Sequence, residues 1–181
     1  MPVRLEVEGA GAFVDALSKF NKEVYAQLQK EVRKAAEIVR DDARRRTPAM
    51  VLFGGGGRSA GWGKWSGRLD WNKSRADAAM KVGANKVRKR GVRGSLGIVG
   101  RVYSDTRSLG GRTLWAFSSA GSKNPNSLFN RAITDKWGQL PTINGAQTTR
   151  TIGAALIEKG PQAGEQIDEA LERAQAKFGL R

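Results

Sequence analysis

The sequence predicts an α+β fold, in which a long N-terminal amphipathic helix and a C-terminal helix pack on a small antiparallel β-sheet with long loop insertions. Three patterns predict it. Residues 3–8 alternate apolar and charged side chains, residues 13–43 carry apolar side chains at steps of three and four, and residues 167–178 repeat that helical spacing. At 181 residues, with neither an internal repeat nor a second apolar core in the sequence, we expect a single domain over residues 1–181.

The first strand and the long helix occupy the N-terminal quarter of the chain. The alternation over residues 3–8 predicts a strand with one solvent-facing side. The apolar stripe predicts a helix over about residues 12–46, which ends before Thr47-Pro48 because the residue preceding a proline disfavours helical backbone. At 1.5 Å per residue such a helix would be roughly 50 Å long, so we expect it to kink or to extend beyond its own core.

The middle of the chain predicts loops around a pair of strands. Residues 54–67 hold seven glycines in fourteen positions, so residues 51–67 are predicted to be a Gly/Trp-rich loop insertion. Residues 76–104 are rich in small and β-branched side chains and predict two antiparallel strands joined by a basic hairpin over residues 86–93. Residues 105–150 show little periodicity and are predicted to be an irregular loop region.

Two helices are predicted near the C-terminus. Residues 152–157 are apolar enough for a short helix or a strand, and we favour the helix. A second helix would begin at Pro161, since proline is favoured at a first helical position, and would end at Phe178 with Gly179 as its cap.

The composition excludes several kinds of chemistry. The chain has no cysteine and no histidine, which excludes a disulfide framework, thiolate or imidazole metal sites, and Ser–His–Asp or Cys–His catalysis. The glycine-rich loop does not fit the phosphate-binding pattern, because Arg58 occupies the required glycine position and Trp65 the Ser/Thr position. The adjacent carboxylates of Asp41 and Asp42 would point about 100° apart on a helix. We therefore predict no enzyme, no cofactor and no metal.

The charge distribution points to an anionic partner. The chain carries 32 basic and 17 acidic residues, and residues 51–150 alone carry 18 basic and 4 acidic ones. Such an excess indicates a polyanion or an acidic protein surface as the partner. No apolar run approaches the 18 or more residues of a membrane span, and the N-terminus lacks the apolar core of a signal peptide. We expect a protein of the cytoplasm, or of a particle assembled there, with no membrane partner.

The candidate site residues are basic and aromatic side chains in this middle segment. A dense basic cluster lies between the two predicted strands: Lys86, Arg88, Lys89, Arg90 and Arg93. All five tryptophans fall within residues 51–150: Trp62, Trp65, Trp71, Trp115 and Trp137. The cluster is suited equally to DNA phosphates and to an acidic neighbouring subunit. The tryptophans are suited to stacking on bases, or to serving as core residues or interface anchors, and we favour the second interpretation.

The N-terminal third resembles a specific family. The strand of residues 3–8, the entry Gly-Ala-Phe-Val-Asp-Ala-Leu at residues 11–17, and a helix ending in Ala-Arg-Arg-Arg-Thr-Pro at residues 43–48 resemble neck proteins of long-tailed, lambdoid-type bacteriophages. These are called tail-completion or head–tail connector proteins. Gly67-Arg68-Leu69 is similar to the element that leads into the family's sheet, and residues 162–178 match its C-terminal helix.

The resemblance implies a non-enzymatic virion protein. It would form a ring, six-fold by analogy, that completes the tail and joins it to the head connector for genome passage. Its partners would be further copies of itself and the connector, tail terminator and tail tube proteins. The basic residues would face either the exiting double-stranded DNA or acidic neighbouring subunits. The alternative that the charge leaves open is a stand-alone basic nucleic-acid-binding protein.

Overall fold

The protein is described here from a computed structural model. The structure describes residues 3–6, 11–49, 51, 71–88, 95–120, 126 and 128–178. Over these residues the chain has the predicted α+β fold. The predicted glycine-rich insertion of residues 51–67 lies outside the described residues except for Val51.

Two consecutive helices stand where the sequence predicts one long helix. They are α1 (Gly11–Phe20) and α2 (Lys22–Arg45). Asn21 separates them, and its side-chain Oδ1 accepts a hydrogen bond from the backbone N–H of Val24 at 3.1 Å. A short amide side chain satisfies a free N–H at the start of α2 in this way, which explains why the helix is interrupted at this residue. The predicted end of the helix before Pro48 is confirmed.

Three strands form the main sheet. In spatial order they are β1 (Val3–Glu6), β3 (Ser95–Ser104) and β2 (Met80–Arg88). β1 runs antiparallel to β3, with Leu5 opposite Gly100. The strands predicted at residues 3–8 and within residues 76–104 are therefore present.

Gly100 allows α2 to pack closely on the sheet. A Cβ atom at this position would lie 3.3 Å from the Cβ of Ala36 and 3.3 Å from the carbonyl oxygen of Val32. The predicted apolar stripe is the buried face of α2, since Leu28, Val32, Ala35 and Val39 are each at most 2% exposed. Burial of this stripe supplies the apolar area that stabilises the helix.

The C-terminal segment is a single helix, α6 (Ile152–Phe178), so the predicted break before Pro161 is wrong. A proline inside a helix removes one backbone hydrogen bond and costs about 3 kcal/mol. Buried side chains on both sides of it, including Ala155, Ala163 and Ile167, hold the helix together across that position. The predicted cap, Gly179, lies outside the described residues.

The prediction that residues 105–150 are irregular is also wrong. This region contains α4 (Leu109–Ser118), α5 (Leu128–Trp137) and a small hairpin. The hairpin strands are β4 (Thr142–Ile143) and β5 (Ala146–Gln147). A further short helix, α3 (Lys73–Ala78), includes residues that the sequence assigns to a strand.

Close packing explains why α4 is hidden in the sequence pattern. Ser108 caps the helix, its Oγ accepting a hydrogen bond from the N–H of Gly111 at 3.0 Å. A Cβ atom at Gly110 would lie 2.1 Å from the carbonyl oxygen of Arg75, and one at Gly111 would lie 1.9 Å from that of Asp105. The Ser- and Gly-rich composition that suggests a loop is therefore what this helix requires for its start and its packing.

The chain divides into two compact units. Unit 1 comprises Met1–Asp41, Val82–Tyr103 and Glu158–Arg181, and unit 2 comprises Asp42–Lys81 and Ser104–Ile157. The boundaries fall inside α2, β2 and α6 and at the end of β3, so neither unit is a continuous stretch of chain. The single domain over residues 1–181 remains a prediction.

Candidate interaction surfaces

The basic cluster predicted as a contact site begins on β2. Lys86 and Arg88 belong to this strand, close to its end at Arg88. The other three members, Lys89, Arg90 and Arg93, lie outside the described residues. The partner of the cluster remains a prediction.

Two of the candidate tryptophans belong to the core of unit 2. Trp71 and Trp137 each pack edge-to-face on Phe117, with ring centroids 5.4 Å apart in both pairs. The indole N–H of Trp71 donates to the carbonyl oxygen of Pro48 at 3.0 Å. Val51 and Ile133 complete this buried cluster. Both tryptophans thus have a structural role within the subunit.

A third tryptophan, Trp115, is exposed on the surface of unit 2. It is 44% exposed, and Leu109 on the same helix is 37% exposed. Leu109, Arg112 and Trp115 follow one another at steps of three along α4, opposite the buried Leu114. We call these three residues the α4 face. The remaining candidates, Trp62 and Trp65, lie outside the described residues.

Arg112 gives the α4 face a positive charge. Its Nε and Nη2 donate to the carbonyl oxygens of Thr106 and Arg107 at 3.3 and 3.4 Å. These are long bonds at an exposed position, and a guanidinium has five N–H donors, so most of its donor capacity remains available to a partner. Arg107 is also exposed, and its backbone N–H donates to the Asp105 carboxylate at 3.2 Å.

Some of the basic side chains form hydrogen bonds inside unit 2. The side chain of Arg44 donates to the carbonyl oxygens of Asp77 and Met80 at 3.0 and 3.4 Å. Lys73 donates to the carbonyl oxygen of Arg44 at 2.9 Å and to the Asp77 carboxylate at 2.6 Å. These cations connect the end of α2 to α3.

Arg150 is the clearest structural cation, and the sequence does not single it out. It is 7% exposed, and its guanidinium donates to the carbonyl oxygens of Ala120 and Gly138 and to Thr134 Oγ1. Burial lowers the pKa of Arg150 from its ordinary value. The two carbonyl groups lie just beyond the C-terminal ends of α4 and α5, where the helix dipoles favour a positive charge.

The two adjacent aspartates of α2 form ion pairs with neighbouring arginines. Asp41 accepts from Arg40 at 2.8 Å, and Asp42, which is 7% exposed, accepts from Arg46 at 2.6 Å. The hydrogen bond with Asp41 raises the pKa of Arg40. Each carboxylate thus pairs with its own arginine, and the two carboxylates are not brought together on one substrate atom.

A shallow groove separates α2 from α6 in unit 1. Its volume is about 190 Å³, and its lining includes the apolar side chains of Leu28 and Ala174. Lys177 and Gln27, which also line it, are joined by a hydrogen bond of 3.0 Å. Pockets for small molecules usually have roughly 300–1,000 Å³, so this groove is small for a substrate.

Among the residues that the structure describes, no three acidic side chains are grouped so as to hold a metal ion. None of the helices in the described ranges has the length and apolar character needed to cross a membrane.

The described part of the chain includes five of the ten predicted site residues. Of the ten predicted site residues, it brings together Trp71 and Trp137, in a core, and leaves Trp115 exposed on a basic helix face. In comparisons with known proteins, no protein family, no curated protein and no solved structure matches this chain.

Proposed function

We propose that this protein is a structural component of a tailed-phage virion, forming a ring in the neck that completes the tail and joins it to the head connector for genome passage. One observation carries the proposal. Most of the elements on which the resemblance to neck proteins depends belong to one compact unit: β1, α1, most of α2, most of β2 and β3, and the larger part of α6. The Ala-Arg-Arg-Arg-Thr-Pro segment at residues 43–48 belongs to the other unit.

The packing inside unit 1 supports this interpretation. The N-terminal strand pairs with β3 instead of remaining a free tail, and α2 packs on the same strand at Gly100. The C-terminal helix contacts α2 through the hydrogen bond between Lys177 and Gln27. The predicted strand, most of the long helix, the sheet and the final helix thus pack in one unit. They follow one another along the chain in the element order of the family.

The charge of the chain is compatible with the partners expected in a neck. Residues 51–150, which carry 18 basic and 4 acidic residues, include most of unit 2. In a ring between head and tail, a basic surface would face either the exiting genome or acidic neighbouring subunits, and either partner would attract it. The proposal involves no enzymatic activity, cofactor or membrane.

The test is to disrupt the coding sequence in the phage or prophage that encodes the chain and to examine the lysate by electron microscopy. We expect filled heads and separate tails that do not join, together with recovery when the wild-type chain is supplied in trans. Mass spectrometry of purified wild-type particles should detect the chain. Normal joined particles after disruption, or absence of the chain from particles, would refute the proposal.

The concentration of charge in residues 51–150 favours one other function, a stand-alone nucleic-acid-binding protein. Such a protein would bind duplex DNA as a free subunit. With about six phosphate contacts, its affinity would fall on the order of 10³-fold between 50 and 200 mM salt. A neck subunit requires no such affinity before assembly, so a titration at two salt concentrations separates the two functions.

A further inference from the structure

We propose that copies of this chain associate head to tail, with the α4 face of one copy contacting an acidic stripe on α6 of the next. The stripe consists of four carboxylates on one side of the helix: Glu165, Asp168, Glu169 and Glu172. The inference rests on the proposed function only in the expectation that the chain forms a ring, and it names the two surfaces that would meet.

The acidic stripe is exposed, and none of its four carboxylates forms an ion pair within the described residues. Its members follow one another at helical positions i, i+3, i+4 and i+7, and all four are exposed. The buried side chains of Ala163, Ile167 and Ala170 lie on the opposite side of α6. Residues 160–172 contain these four acids and no basic residue, and Arg173 follows at the C-terminal end of the stripe.

The stripe has no internal partner in the part of the chain that the structure describes, where no hydrogen bond or ion pair involves any of its four carboxylates. Like charges three and four residues apart on a helix repel one another and destabilise it. A basic surface placed against the stripe would remove that repulsion. In a chain with a net charge of +15, the most immediate source of such a surface is a second copy.

The α4 face has the complementary character. It lies within residues 106–134, a segment with four basic residues and no acidic one. Tryptophan and arginine are the side chains most enriched at the energetic centres of protein interfaces, and Trp115 lies beside Arg112 on this exposed surface. Leu109 adds apolar area, which favours a protein surface over a phosphate backbone as the partner.

The two charges lie on different helices, so the favourable contact joins two different surfaces. The α4 face against itself, or the acidic stripe against itself, would bring like charges together. When the α4 face of each copy contacts the stripe of the next, the contact is heterologous, and it produces a closed ring when the rotation between copies closes. A two-fold pair in which each α4 face contacts the partner's stripe would stop at a dimer instead, so the oligomer mass distinguishes the two arrangements.

The first test is a charge exchange followed by measurement of the oligomer mass by light scattering over a range of concentrations. Arg112→Glu alone and Glu169→Arg alone should each raise the dissociation constant at least 10-fold. In an equimolar mixture of the two variants, the reversed α4 face of the first can contact the reversed stripe of the second, so association should recover. The double variant should have the wild-type oligomer mass. Arg33→Glu is the matched control. It makes the same change of charge at an exposed position of α2 that belongs to neither surface.

The second test detects association too weak to measure by mass. The chain has no cysteine, so single cysteines introduced as Ser119→Cys beside Trp115 and Gln162→Cys beside Glu165 are unambiguous. When the two variants are mixed and oxidised, disulfides between different variants should predominate. Adding Arg112→Glu to the first variant should abolish that preference.

Several results would overturn the interface. They are disulfides in statistical proportion, an oligomer mass that Arg112→Glu leaves unchanged although the wild type associates, or DNA binding that depends on Arg112 without any preference between variants in the disulfide test. If the chain is nevertheless found in particles, the proposed function stands without this interface. If the exchange restores association but the chain is absent from particles, the interface stands and the proposed function fails.

Discussion

Replacing Gly110 by alanine tests whether α4 is held in place by backbone contact. Alanine in a helix is normally favoured over glycine by about 1 kcal/mol. At Gly110, however, the new Cβ would lie 2.1 Å from the carbonyl oxygen of Arg75, roughly 1 Å closer than real Cβ contacts allow. The obstacle is backbone of α3, so the two helices must move apart.

Overpacking of this kind costs about 1–3 kcal/mol and sometimes more, and the contact here is severe. We therefore expect Gly110→Ala to lower the free energy of unfolding by about 2 kcal/mol after the gain in helix propensity is subtracted. For a chain of this size that corresponds to a decrease of roughly 4–8 °C in the melting temperature.

Gly164 provides the matched control on α6. A Cβ atom there would meet nothing within 4 Å, so Gly164→Ala should raise the free energy of unfolding by about 0.5–1 kcal/mol. Both variants can be compared with the wild type by urea unfolding followed by circular dichroism. If Gly110→Ala were as stable as the wild type, α4 and α3 would not be in the contact described. The explanation of Gly110 and Gly111 by close packing would then be wrong.

Three further predictions concern buried and charged side chains. Arg150→Met should lower the free energy of unfolding by about 3 kcal/mol in the same assay, because it leaves the buried carbonyl group of Ala120, the carbonyl group of Gly138 and the Thr134 hydroxyl without a charged donor; a stable variant would mean that water replaces the guanidinium. Leu28→Asp should prevent folding, since Leu28 is 2% exposed on the stripe of α2, and a folded variant would contradict the packing of that face. Replacing Arg88, Lys89 and Arg90 by alanine should leave the circular dichroism spectrum and melting temperature unchanged but block joining of heads to tails; wild-type infectivity would exclude the basic cluster from function.

Sequence reasoning predicts well the elements whose apolar pattern extends over many residues. The stripe of α2 repeats over six turns, and nearly the same positions are buried in the structure. The interruption at Asn21 depends on a single side chain that caps α2, and the stripe passes through it without a change of period. A local hydrogen bond therefore divided a helix that hydrophobic patterning predicts as continuous.

The elements that sequence reasoning misses depend on contacts distant in sequence. From sequence alone Gly110 suggests a loop, but in the structure it packs against the backbone of Arg75. Arg150 suggests a surface charge, but its guanidinium binds carbonyl groups just beyond the ends of two helices. The hairpin at Asn144-Gly145 is different, because both residues have positive φ, 50° and 77°. Asn-Gly is a strong local signal for a tight hairpin, so that turn was readable from the sequence.

The structure also changes the weight of the two interpretations of the basic, tryptophan-rich middle. Binding single-stranded nucleic acid by stacking requires exposed rings, and two of the five tryptophans, Trp71 and Trp137, are packed on Phe117 in a core. Cations such as Arg44 and Arg150 are likewise bound to backbone carbonyls within unit 2. What remains exposed on α4 is a single tryptophan flanked by leucine and arginine. That combination is typical of a protein interface centre, and it favours an acidic protein surface over a polynucleotide as the partner of this face.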